Sequence, residues 1–165
     1  MRLFFAALAF MFLLSCGNSQ APEQGQAAPA ASASPLDSAS WSDLDRKLNP
    51  LLNDYFSLKD ALVEWDSVSA DAASARLKAL SDSLVKDSAI LLDLRQLIGS
   101  IGAEADGLLG EKDITEKRRA FSMMSQHFLP LLKQAAFGAQ PVYQQICPMA
   151  FNDDETAFWL SNQRE

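Results

Sequence analysis

The amino-acid sequence predicts an all-α protein: an antiparallel four-helix bundle with a short C-terminal β-hairpin. Three observations lead there. Apolar residues recur at helical spacing in four successive blocks between Trp41 and Gly138. Short polar or glycine-bearing stretches separate the blocks, which makes antiparallel neighbours the economical packing. After Gly138 the pattern changes to two β-favouring runs, residues 142–147 and 156–160, around the polar turn Asn152-Asp153-Asp154-Glu155.

With 165 residues, 48% hydrophobic and 21% charged, the chain suits one globular domain plus appendages. Its net charge of -7 comes from Asp and Glu scattered over otherwise apolar helices, so the acidity reads as solvated surface. No basic stripe exists to neutralise phosphates, which argues against a nucleic-acid partner. The densest basic run, Lys117-Arg118-Arg119, falls inside a helix and reads as a solvated face.

The first appendage has the parts of an export signal: Arg2, then an uncharged apolar run over residues 3–14 that is too short to span a bilayer. It ends in Leu13-Leu14-Ser15-Cys16-Gly17, which resembles the lipobox of bacterial lipoproteins. That resemblance implies removal of residues 1–15, lipidation of Cys16 and a lipid-anchored, periplasm-facing protein. Gly17 in place of an aspartate-type retention signal favours the outer membrane. Several acyl chains hold far more firmly than one, at about 0.8 kcal/mol per buried methylene. The membrane is thus a partner through the anchor. Residues 18–40 are Ala, Ser, Gln and Pro with almost no large apolar side chain, a disordered tether reaching about 25–30 Å as a flexible coil. The organisation is therefore signal peptide 1–15, lipidated Cys and tether 16–40, and a helical domain 41–165.

Within that domain, Leu44, Leu48, Leu51, Tyr55, Leu58 and Leu62 form the stripe of helix one, between Trp41 and Trp65. Pro50 predicts a kink or break near Asn49, with Pro50 opening the main segment. Helix two is expected at about 70–85, with Ser69 as N-cap and Ala73, Leu77, Leu80 and Leu84 buried. Helix three is expected at about 88–109. Its Gly99 and Gly102 each weaken it by roughly 1 kcal/mol unless another helix packs closely there. Helix four opens on a capping-box pattern, Asp113 with Glu116, runs through Phe121, Met124, Phe128, Leu131 and Leu132, kinks at Pro130 and ends with Gly138 as cap.

The residues suited to chemistry lie in Val142-Tyr143-Gln144-Gln145-Ile146-Cys147-Pro148-Met149-Ala150. In an extended chain residues two apart share a side, so Cys147 and Met149 can present thiolate and thioether together. That donor set favours Cu(I) over hard cations. On helix four Met123 and His127, four apart, or Met124 and His127, three apart, could add a donor. Met124 falls inside the core stripe; Met123 and His127 lie beside it. Other readings stay open: Cys147 as a small buried hydrophobe, Met149 as core filler, Trp159 as the hairpin's anchor. With Cys16 acylated, Cys147 is the only remaining thiol of an exported protein, so it must be buried, metal-bound or in use.

Tyr55-Phe56-Ser57-Leu58-Lys59-Asp60-Ala61-Leu62, Arg119-Ala120-Phe121-Ser122, Val142-Tyr143, Cys147-Pro148-Met149-Ala150 and Trp159-Leu160-Ser161 together resemble an exported domain of Gram-negative lipoproteins that is also fused to periplasmic adaptor subunits of heavy-metal efflux pumps. The resemblance spans roughly residues 50–165. It implies a helical domain for copper or silver whose ligands map to Cys147 and Met149. Many members of that family place a histidine before the cysteine, where this chain has Ile146, and continue past Trp-Leu-Ser where this chain stops at Glu165. A truncated C-terminus is therefore expected. The reading that follows is a binder, not an enzyme: Cu(I) on Cys147 and Met149, completed by His127 or Met123, in metal handling or efflux beside an efflux-system protein. The alternative is a helical interaction module docking on an efflux or envelope partner without metal. A thiol enzyme pairing Cys147 with His127 lacks an orienting acid and an oxyanion-hole motif.

Overall fold

Short polar side chains set where three of the four helices begin. The computed structural model describes residues 41–152 and 154–164, so the expected export signal, the expected lipidation at Cys16 and the expected tether lie outside the described residues. Helix α1 spans Asp43–Val63, α2 Ser67–Val85, α3 Leu92–Gly110 and α4 Ile114–Gln134, followed by strands β1, Tyr143–Phe151, and β2, Glu155–Ser161. At α1 the Asp45 amide donates to Ser42 Oγ at 2.9 Å and the Ser42 amide donates back to Asp45 at 3.1 Å, a capping box. At α2 the cap is Asp66, which accepts from the Val68 and Ser69 amides at 3.0 Å, so the helix starts three residues before the expected Ala70. At α4 Asp113 accepts from the Thr115 and Glu116 amides as expected, while the Glu116 carboxylate lies 3.7 Å from Arg119.

Helix α3 starts later than the expected Ser88. Asp87 takes the Ala89 amide on its side chain and the Ile90 amide on its carbonyl, and the resulting turn buries Ile90 before the helix begins at Leu92.

The expected break at Pro50 does not occur, and α1 runs through it as one helix. The carbonyl that loses its donor belongs to Arg46, four residues back, and both Arg46 and Pro50 are exposed, so water can take the lost hydrogen bond. Leu48, Leu51 and Leu52 on the opposite side are fully buried and hold the helix together. Helix α4 likewise continues through Pro130, whose orphaned carbonyl is on the exposed Gln126.

The left-handed cap of α4 falls two residues before the glycine that the sequence marks for it. Ala136 takes the left-handed conformation (φ 49°), with its amide on Lys133 O and the Phe137 amide on Leu132 O. Gly138 is left to donate its amide to Asp45 at 3.1 Å, tying the exit of α4 to the start of α1. Trp65 ends α1 in the same way, at φ 59°, with the Asp66 amide on Ala61 O. For a tryptophan that conformation costs about 1–2 kcal/mol.

The four helices pack in sequence, α2 against both α1 and α3, and α3 against α4, giving the four-helix bundle with a C-terminal hairpin that the sequence predicts. Helices α1 and α4 meet over less of their length. The hairpin joins them there, through Tyr55 of α1 and Ser125 of α4. Among the described residues no helix is long and apolar enough to cross a membrane.

Of the glycines in α3, close packing requires Gly102. A Cβ there would sit 2.9 Å from Ser81 Cβ on α2, whereas at Gly99 it would meet only Val85 at 3.7 Å and at Gly107 nothing. Gly102→Ala should therefore destabilise: overpacking of about 1–3 kcal/mol outweighs a helix-propensity gain of about 1 kcal/mol. Gly107→Ala should stabilise by about 0.5–1 kcal/mol, and urea unfolding midpoints of the two variants give the opposite signs.

Burial raises the Asp45 carboxyl, but hydrogen bonds from Gly138 and Ser42, aided by the nearby Arg46 charge, outweigh it and hold the group below its ordinary value. A carboxyl held low contributes stability above its unfolded pKa of about 3.9 and loses it as pH falls through the folded one. Asp45→Asn should cost stability at pH 7 and flatten the loss below about pH 4, as read by thermal unfolding across pH.

Candidate functional site

The site is built by the hairpin and the two helices beneath it. Strands β1 and β2 pair antiparallel from Tyr143 with Ser161 through Cys147 with Ala157; the register then slips, and Phe151 faces Glu155. Four residues of β1 thus span what two residues of β2 span. Pro148 has no amide to give the ladder, which suits it to an irregular stretch. Up to that point side chains alternate: Gln145 and Cys147 are half-buried, and Gln144, Ile146 and Pro148 are exposed. Beyond it Ala150 and Phe151 turn to the bundle and Met149 is left 64% exposed. The two-residue spacing that would put Cys147 and Met149 on one side holds in a regular strand, and the bulge removes it.

β2 is fixed from below. Leu160 is fully buried and its amide donates to Tyr55 Oη at 2.9 Å. Trp159, the expected anchor, is half-buried at the edge of the core.

The Lys117-Arg118-Arg119 run is not the solvated face it resembles in the sequence. Successive helical residues point about 100° apart, so each of the three reaches a different element. Lys117, 1% exposed, donates to Leu108 O at 2.8 Å and pairs with Asp71 at 2.5 Å, joining α4 to α3 and α2. Arg118 donates to Leu62 O at 2.7 and 3.2 Å, covering the end of α1, and lies 3.7 Å above the Trp65 ring. Arg119 donates to both Glu155 oxygens at 2.7 Å and stacks on Phe151 at 4.4 Å, clasping the two strands where the register slips.

Between the hairpin, α1 and α4 lies a cleft of about 260 Å³. Leu62, Phe121, Phe158 and Trp159 give it apolar walls, Lys59 and Arg118 give it charge, and Cys147 lies in its wall. Of the five residues the sequence offers as metal ligands, only Cys147 lines this cleft. His127 lies 3.8 Å from Glu104 of α3. It is about 140° around α4 from the cleft-lining Ser122 and about 180° from Arg118. Met123 is 46% exposed, its sulfur 3.9 Å from the Gln126 amide nitrogen. Met124 is fully buried in the core, as its place in the stripe implies. Among the described residues no group of three or more His, Cys, Asp or Glu side chains comes together.

Sequence reasoning missed Lys59, Arg118 and Tyr55. For Tyr55 a signal existed, since a hydroxyl in the middle of an apolar stripe requires a buried partner.

A family model described as "Protein of unknown function (DUF3347)" matches residues 51–139, more than half of the chain, and its match ends before the hairpin. No curated protein and no solved structure matches the chain.

Proposed function

The chain belongs to the DUF3347 family, and on that footing we propose that it is a binder rather than a catalyst, a lipid-anchored, periplasm-facing domain that takes Cu(I) on Cys147 with Met149 in metal handling or efflux. The observation that carries this reading is the accessibility of both sulfurs. A cysteine kept for packing belongs in the core, yet Cys147 is half-buried in the wall of an open cleft. Met149, two residues on, is 64% exposed. Thiolate and thioether together are soft donors suited to a monovalent soft ion.

Charge narrows the choice of metal. Lys59 and Arg118 stand in the same cleft wall. One thiolate neutralises Cu(I), whereas a dipositive ion would keep a net positive charge beside two cations. Structural zinc also wants four ligands, and α4 does not turn His127 or Met123 toward this cleft. Cys147 stands in the cleft wall and Met149 outside it, so the two sulfurs share an ion only once the irregular strand end between them rearranges, which makes the site an open one suited to passing a metal on to an efflux-system protein.

The second reading, a helical module docking on an envelope partner without metal, draws on a different observation: Val63, Trp65 and Val68 are all more than half exposed around the α1–α2 corner, and Val63 also lines the cleft.

Cu(I) titration of the reduced chain carrying Cys16→Ser separates the two. Cys147→Ser should weaken Cu(I) binding by more than the roughly 10–100-fold that loss of a supporting outer group costs. Met149→Leu should weaken it less, and Zn(II) should bind poorly to every form. Equal Cu(I) affinity with and without the Cys147 thiol would leave only the docking reading.

A further inference from the structure

The cleft carries a second inference that does not rest on metal binding. The chain has a net charge of -7, yet among the described residues the charged side chains lining the cleft, Lys59 and Arg118, are both cations, and no carboxylate lines it. The Lys59 side chain is only 9% exposed, and its ammonium lies 2.7 Å from an Asp60 carboxylate that is 65% exposed and so shared with water. The Arg118 guanidinium has five N–H donors, of which two hold Leu62 O. Its Trp65 contact is through the ring face and uses none of them. The same cleft is lined by Leu62, Phe121, Phe158 and Trp159.

A sealed ammonium and a forked guanidinium over apolar walls recognise one anionic group carried on a hydrocarbon. Size limits the hydrocarbon. A cleft of about 260 Å³ falls just under the roughly 300–1,000 Å³ of drug-sized pockets, which favours a short chain over a long one. We propose that the cleft between the hairpin, α1 and α4 binds a small alkyl monocarboxylate, its chain against Phe121, Phe158 and Trp159 and its carboxylate on Arg118 and Lys59. The Cys147 thiol is then covered by the bound chain.

That covering gives the test. The full chain, kept metal-free by a chelator, is alkylated with a maleimide, and the Cys147 peptide alone is followed by mass spectrometry so that Cys16 does not enter. Octanoate should slow alkylation of Cys147 saturably, by about fivefold or more, while octan-1-ol slows it less than about twofold and octyltrimethylammonium not at all. Lys59→Met should raise the octanoate concentration needed by about tenfold, the loss of one charge-assisted contact, and Lys59→Arg should restore it. Equal protection by octanoate and octanol would reduce the cleft to an apolar groove and overturn the proposal, as would no protection by octanoate. Because the ligand series is run on the unaltered chain without metal, its outcome holds even if Lys59→Met fails to fold, and it is independent of the Cu(I) titration.

Discussion

One buried hydroxyl holds the hairpin to the bundle. Ser125 Oγ donates to Phe121 O at 2.8 Å, so at 2.6 Å from Tyr55 Oη it must act as acceptor, and the tyrosine proton is committed to it. The phenol oxygen is then left to accept the Leu160 amide. Burial raises the phenol well above its ordinary value, which keeps that proton in place. The chain of donors runs one way, from β2 through α1 into α4, with the ring packed on Phe121 and Phe128 at centroid distances of 4.7 and 4.5 Å. An isolated two-stranded hairpin is marginal in water, so the position of Cys147 and the cleft beneath it depend on this anchorage.

Around that anchor the basic residues of α4 work as ties. Lys117 is committed to α2 and α3, Arg118 to the end of α1 and Arg119 to the hairpin. Arg118 serves twice, covering the Leu62 carbonyl at the end of α1 while also forming part of the cleft wall. The left-handed Trp65 under its guanidinium is the backbone cost of turning α1 so tightly into α2. Structure and candidate site therefore share residues, and a change at Arg118 cannot be assigned to ligand binding alone.

The number of helices and most of their buried faces were legible because each stripe keeps its period over several turns; in α2 the expected Leu80 and Leu84 are only half-buried, and Ser74 and Ser81 are buried beside Ala73 and Leu77. What was not legible depended on partners far along the chain. Gly138 reads as a helix cap, yet its amide is claimed by Asp45, 93 residues away, and an alanine takes the strained position instead. Pro50 reads as a break, but local sequence does not say that the orphaned carbonyl faces water. Lys117-Arg118-Arg119 reads as solvent-facing because no pattern announces the acceptors at Leu108, Leu62 and Glu155. The candidate site was legible as a place, the Cys147 segment, and not as a geometry. A two-residue spacing means one face only while the register holds, and the slip after Cys147 sends Met149 outward.

Amide exchange at Leu160 in the wild-type chain and in Tyr55→Phe tests the anchorage most directly. Removing the hydroxyl strips the acceptor from the Leu160 amide and leaves Ser125 without its donor, a loss of about 1–3 kcal/mol. The hairpin amides should then exchange about tenfold faster or more, while those of Leu77 in α2 and Ile101 in α3 change much less. Leu160 protection that is unchanged in Tyr55→Phe, or that falls only in step with Leu77 and Ile101, would contradict a hairpin held by Tyr55.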